Sequence, residues 1–281
     1  MSDRVRMPGV PDAQRDPVLR RYPLRRHRIP VGPGQLSIVI PDDRAWLREG
    51  TWAHDVLRGK EPPYWCRIWP SAVAVARQFI RASCQGEANI FAGLRVLDLG
   101  CGLGVPGVQA AALGAALCSV DFESDALSFA HWNAKAQPGC LIPPTTQQVD
   151  WARGAVSGSF DLILLSDVTY HRNHHMPVRR QIAMALADGG CVLHADPGRE
   201  LSTHFLSQQR GDFAQASWQR ATRFLDRKAE VRLTLLARTA TDLQTWCDRL
   251  CVPTDERTQV VPLLPAIPGN HTCDQAAPDS A

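Results

Sequence analysis

The chain has no C-x-x-C pair among its nine cysteines, no apolar run long enough to span a bilayer, and no strong excess of either charge. Each absence removes a class of protein. Scattered cysteines in odd number, with no signal peptide ahead of them, read as free thiols in a reducing compartment and point to a cytoplasmic protein. The lack of a run of about 20 apolar residues excludes a helical membrane span. A net charge of +3 argues against a protein held to nucleic acid by electrostatics. Metal ligands at a recognisable spacing are also missing. His171, His174 and His175 stand near Asp167 without a fourth partner, and a polar cluster at a helix start accounts for them.

What is present is a chain of 281 residues, 44% of them hydrophobic, enough for one large α/β domain with extensions. The first 60 residues read as a basic, Pro- and Arg-rich extension with one strand-like run, Leu36 to Ile40, too punctuated for a regular core element. Its cluster Arg20-Arg21 and Arg25-Arg26-His27-Arg28 suits a targeting segment to the mitochondrial matrix if the chain is eukaryotic. Asp3, Asp12 and Asp16 fit that reading poorly, so an extension that packs on the domain or stays mobile is the expectation. Residues 61–245 form the expected domain, and 246–281 a loose tail rich in Pro and Thr.

Within the domain, a helix begins after Pro70, with Val73, Val75, Ala76, Phe79 and Ile80 roughly on one face. Short apolar strands then alternate with helices: strands at 95–99, 116–120, 145–149, 160–165 and 191–195, the last following an Asp188-Gly189-Gly190 turn. Such runs predict a parallel sheet covered on both faces. Residues 216–225 and 230–237, joined by a short charged turn, read as a closing antiparallel hairpin.

The segment Val96-Leu97-Asp98-Leu99-Gly100-Cys101-Gly102-Leu103-Gly104 ends a strand in an acid, then a glycine loop, then a helix. Glycines let the backbone turn sharply and approach a ligand. Gly102-x-Gly104-x-x-Gly107 also fits a dinucleotide fingerprint, but Asp98 would face the phosphates and suits a ligand with a cationic amino group and a sulfonium. Asp121, at the end of the second strand, can accept hydrogen bonds from ribose hydroxyls; Glu123 or Asp125 reads as a helix N-terminal acid. Asp150-Trp151 is either an adenine acceptor with an aromatic wall or a packed loop. Asp167 and Tyr170, three apart after the fourth strand, either face the reacting centre or form a helix cap with a packed ring.

The glycine loop resembles motif I of class I methyltransferases. Together, Trp65/Trp69-Pro70, DLGCGLG (98–104), DW (150–151), SDVTY (166–170) and ADPGR (195–199) resemble the seven-strand protein-lysine methyltransferases. Within that group they are most similar to the branch that modifies the electron-transfer flavoprotein β subunit. The likeness covers about residues 60 to 238. It implies a Rossmann-like, mostly parallel seven-strand methyltransferase sheet with an antiparallel last strand, S-adenosylmethionine as cofactor, and a protein lysine as acceptor. By the same resemblance Trp69 and Ser166 join Asp98, Gly100, Gly102, Gly104, Asp121, Asp150 and Trp151 around the cofactor. Asp167 and Tyr170 serve the acceptor lysine, and Arg199 stands near the substrate entrance. A lysine amine titrating near about 10.4 is mostly protonated at neutral pH; the adjacent sulfonium disfavours that second charge, and Asp167 can orient the amine. A small-molecule N-methyltransferase and a cofactor-binding protein without catalysis stay open, since a fold does not fix its substrate. Trp46, Trp52, Trp65 and Trp69 are candidates for a substrate lip, with ordinary packing as the commoner fate.

Overall fold

Side-chain alternation decides which face of the sheet each residue feeds. A computed structural model describes residues 16–42, 63–85, 89–224, 227–255 and 259–261. The central strands are β3 (Arg95–Leu99), β4 (Ala116–Asp121), β5 (Thr145–Gln148), β6 (Phe160–Ser166) and β7 (Leu186–Asp196), all parallel, and β8 (Ala214–Phe224) and β9 (Arg227–Ala237) close the sheet as a hairpin. Val96, Leu162, Leu164, Cys191 and Leu193 point to one face. Leu97, Leu99, Ile163, Leu165 and Val192 point to the other. The first face is covered by α1 (Pro70–Gln85), α2 (Val105–Ala112) and α3 (Ser124–Lys135), the second by α4 (Arg172–Ala185) and α5 (Glu200–Gln208). Val73, Val75, Ala76 and Phe79 of α1 are buried as their spacing predicts, and Ile80 is half-buried.

The sheet order is β10-β8-β9-β7-β6-β3-β4-β5, where β10 is the short strand Gln259–Val261. The seven expected strands are there, with β9 antiparallel between β7 and β8. From β3 the chain steps outward through β4 and β5, then returns to the other side of β3 as β6 and β7. Open α/β sheets bind ligands at such a reversal, above the carboxyl ends of the strands. No helix among the described residues is long and apolar enough to cross a membrane.

Three segments differ from the sequence reading. The basic cluster Arg25-Arg26-His27-Arg28 lies inside a strand, β1 (Leu24–Pro30), paired antiparallel with β2 (Gln35–Pro41). Both prolines stand at strand ends, where they interrupt little of the ladder. The hairpin is anchored from outside: Ile29, Leu36, Ile38, Val39 and Ile40 join the first-face core. The buried Asn133 amide accepts from Val39 N–H at 2.8 Å and donates to Val39 C=O at 3.1 Å and Leu103 C=O at 3.2 Å. The expected Asp188-Gly189-Gly190 turn is instead an irregularity within a continuous β7, where Gly189 takes φ +69° and the register against β6 shifts. Finally, the tail expected from 246 begins inside a helix, α6 (Ala240–Arg249), capped by Thr239. Leu243, Trp246, Cys247, Leu250 and Val252 are buried, and Trp246 Nε1 donates to Gly189 C=O at 2.9 Å. A short eighth strand, β10 (Gln259–Val261), pairs with the edge of β8.

Candidate active site

The glycine loop turns between β3 and α2 against close neighbours, Val168 and the Trp151 ring among them. Gly100 has φ +73°, and a Cβ there would lie 2.7 Å from Val168 Cγ1 and 2.9 Å from the Trp151 ring. Gly107, in the first turn of α2, sits over Asp98; a Cβ would come within 2.8 Å of Asp98 Oδ2. That closeness lets Gly107 N–H donate to Asp98 Oδ2 at 3.1 Å. Asp98 is buried, and burial pushes its carboxyl up to about 7, with the charge of Asp121 adding to the rise and the Gly107 amide opposing it. Asp121 is buried too and its carboxyl is raised by burial, against hydrogen bonds from Glu123 N–H (3.1 Å) and Gly102 N–H (2.9 Å). Two buried, mutually repelling carboxylates at the ends of adjacent strands favour a cation between or beside them.

The remaining predicted cofactor residues collect along the same rim. Asp150 caps its own turn, accepting from Ala152 N–H at 3.0 Å, and stays exposed. Trp151 lays its ring on Gly100, with His174 at 5.7 Å between ring centroids. Among the described residues, Trp151 Nε1 and Ser166 Oγ are buried without a hydrogen-bond partner. Buried polar atoms are normally satisfied, so orphans beside a glycine cradle fit a polar ligand. The donor set and the cradle fit S-adenosylmethionine: carboxylates for its cationic and hydroxyl groups, an indole wall, and a backbone that admits close approach. Phe122, which the sequence reading passed over, follows Asp121 and is 61% exposed, an apolar surface on the same rim.

Trp69, expected at the cofactor, and Tyr170, expected at the acceptor, meet in one row of rings. Trp69 donates through Nε1 to Tyr64 C=O at 3.1 Å. The Tyr64 ring stands 6.0 Å from both Trp69 and Tyr170, and Tyr170 stands 5.2 Å from His174. Tyr64 was missed; its only signal was its place in the aromatic pair Tyr64-Trp65 ahead of α1. Trp65 itself packs on Phe129 and Tyr22, the ordinary fate, while Trp46 and Trp52 lie outside the described residues.

Asp167 takes φ +58°, a conformation non-glycine residues rarely adopt. It is buried and ion-paired through Oδ1 with Arg199 Nη1. Burial raises its carboxyl, and the Arg199 guanidinium opposes that rise. Arg199 therefore touches Asp167 itself. Beneath the loop, buried His194 pairs through Nε2 with Thr169 Oγ1 at 2.8 Å, and Thr169 donates to Ser202 Oγ at 2.9 Å. Burial lowers His194 to about 4, so it is neutral at physiological pH.

The electron transfer flavoprotein beta subunit lysine methyltransferase of Danio rerio is 31% identical over 140 residues, 49% of this chain and 51% of that protein. The ubiquinone biosynthesis O-methyltransferase of Caulobacter sp. (strain K31) is 35% identical over 145 residues, 50% of this chain and 56% of that protein. The chain thus spans about half the length of the curated relatives it matches. Among solved structures, the N-methyltransferase NodS of Bradyrhizobium japonicum in complex with S-adenosyl-L-homocysteine aligns with a TM-score of 0.46 at 16% identity, covering 57% of this chain and 84% of that one. Residues 62–210, over half of the sequence, match the family described as lysine methyltransferase, and the chain belongs to that family.

Proposed function

We propose that the protein transfers a methyl group from S-adenosylmethionine to a lysine side chain of another protein, with the electron-transfer flavoprotein β subunit as the acceptor to test first. The observation that carries this reading is the juxtaposition of the Gly100–Gly107 cradle with the Asp167 carboxylate and the Tyr64, Trp69 and Tyr170 rings. When bound, the cofactor supplies a methyl carbon activated by a sulfonium. With the cofactor bound, the amine lone pair would form the new N–C bond as the C–S bond broke, its electron pair passing to sulfur, and the product ammonium would give a proton to solvent.

This chain's residues supply position and environment. Asp98 and Asp121 hold cationic and hydroxyl groups, Trp151 packs beside the glycine turn, and Asp167 aims the amine. The aromatic row offers ring faces that attract the cationic product. Orientation of this kind supplies a large part of the acceleration in a direct displacement. The Danio rerio relative is named for a flavoprotein target, which supports the same target class here.

The test is incubation of the full chain with methyl-labelled S-adenosylmethionine and purified electron-transfer flavoprotein, beside Asp167→Ala. Label on the β subunit that survives acid hydrolysis as methyl-lysine, and is absent with the variant, is the expected result. Label confined to small molecules in a cell extract would instead make the protein a small-molecule methyltransferase. Cofactor binding with no transfer to any acceptor would make it a binding protein.

A further inference from the structure

The Asp167–Arg199 pair raises a chemical problem and supplies its solution. A bare carboxylate beside the methyl donor attracts an ammonium, which has no lone pair and cannot attack. The guanidinium on Oδ1 offsets that attraction and leaves a hydrogen-bond acceptor in place. Among the described residues, Asp167 Oδ2 is buried and has no hydrogen-bond partner, and the Ser71 hydroxyl nearby falls short of one. Arg199 is itself fixed from behind. Its backbone N–H donates to Asp196 Oδ1 at 3.0 Å, and Asp196, fully buried, is gripped by Arg232 Nη2 at 2.8 Å. Asp167 is fixed as well, since its N–H donates to Ala195 C=O at 2.9 Å across the ends of β6 and β7. The four charges alternate in sign, and both members of the working pair have their backbones tied to the same strand end.

Resting on the methyl-transfer reading, we propose that Arg199 is a positioning residue: it occupies Asp167 Oδ1 so that Oδ2 alone receives the acceptor, and it selects a neutral amine over an ammonium. The chain thereby discriminates protonation state with a fixed charge before any substrate arrives. A merely structural pair, fastening one loop to another, would make a different prediction on substitution.

The experiment compares wild type, Arg199→Met, Arg199→Lys, Asp167→Asn and the double variant Asp167→Asn/Arg199→Met, all as full chains loaded with S-adenosylhomocysteine, whose affinity and circular dichroism report intact folding. n-Butylamine serves as the lysine side-chain probe, followed by the carboxyl resonance of ¹³C-labelled Asp167. Arg199→Met is expected to bind the butylammonium cation about tenfold more tightly at pH 7, because a neighbouring positive charge is gone. In turnover it is expected to lower kcat by about ten- to a hundredfold without raising KM for the acceptor. Arg199→Lys keeps the charge and retains kcat within a few fold, and the double variant is no slower than Asp167→Asn alone, since Arg199 acts through Asp167. Weaker or unchanged butylammonium binding in Arg199→Met, an unaltered kcat, or a double variant slower than Asp167→Asn overturns the proposal, as does wild type in which the Asp167 resonance ignores the probe. The binding arm needs no turnover. Absence of methyl transfer with the expected binding changes would therefore sink the functional reading and leave the charge selection standing.

Discussion

Replacing Asp98 with Asn tests whether a buried carboxylate is kept for the cofactor at the expense of the fold. Asp98 titrates at about 7 in the folded protein because it is buried beside Asp121, against an ordinary 3.8. The folded state therefore holds the proton over the interval from about 4 to 7, where the unfolded chain has lost it. The associated stability is fully present below pH 4 and disappears as pH rises through 7. Between pH 5 and pH 8 this costs the wild type about 2.5 kcal/mol, from roughly two pH units at about 1.4 kcal/mol each. Asn accepts the same Gly107 N–H and carries no charge, so its own penalty for the extra amide donors, about 1–3 kcal/mol, is the same at both pH values. The assay is urea unfolding of both proteins at pH 5 and pH 8. Relative to wild type, Asp98→Asn is expected to gain about 2.5 kcal/mol on going from pH 5 to 8. Calorimetry supplies the other half. Affinity of the wild type for S-adenosylmethionine should rise up to about tenfold per pH unit below 7 and level off above it, and that slope should vanish in the variant. Equal pH dependence of stability in the two proteins, or a binding slope that survives in Asp98→Asn, would refute the assignment.

Three further outcomes follow from other parts of the site and its supports. Gly100→Ala forces a left-handed residue to carry a Cβ that meets Val168 and Trp151; it should cost about 1–3 kcal/mol of stability and weaken cofactor binding more than tenfold, both read by calorimetry, about tenfold corresponding to 1.4 kcal/mol. His194 is lowered to about 4 by burial, so its stability contribution is present above pH 6.5 and lost as pH falls towards 4, about 3 kcal/mol in all. The advantage of wild type over His194→Gln in urea should shrink across that window; an advantage that holds constant down to pH 4.5 would show that His194 does not titrate there. Asn133→Ala strips partners from both Val39 backbone groups and from Leu103 C=O, and should cost about 3 kcal/mol, with proteolysis starting in residues 24–41.

The strands that carry the site were legible because they are buried on both faces and read as near-continuous apolar runs, as in Phe160 to Leu165 and Arg95 to Leu99. The glycine loop was legible for a different reason: its residue types answer a backbone demand that few other residues meet. The N-terminal hairpin was not. Only Ile29 of β1 is fully buried, Arg25 and Arg26 are half-buried without alternation, and its pairing is secured by Asn133, 94 residues downstream of the group it bonds. Gly189-Gly190 looked like a turn because local chemistry cannot tell a turn from a bulge when a neighbouring strand keeps the ladder going. The Asp167–Arg199 contact spans 32 positions. It becomes deducible once β6 and β7 are known to be neighbours in the register Ser166↔Ala195, and no local pattern contains that information.

The place of β9 also sets a schedule for synthesis. Its ladder partners are β7 on one side and β8 on the other, so the sheet stays split until residues 227–237 have emerged from the ribosome. Everything needed for the cofactor cradle, through β7, is made earlier. For that interval the nascent chain presents the β7 edge, apolar on both faces through Cys191, Val192 and Leu193, as an open template for pairing. A stall or truncation before β9 would thus release a species able to assemble its ligand-binding half yet prone to edge-to-edge association, whereas late insertion of one strand joins the two parts into one continuous sheet.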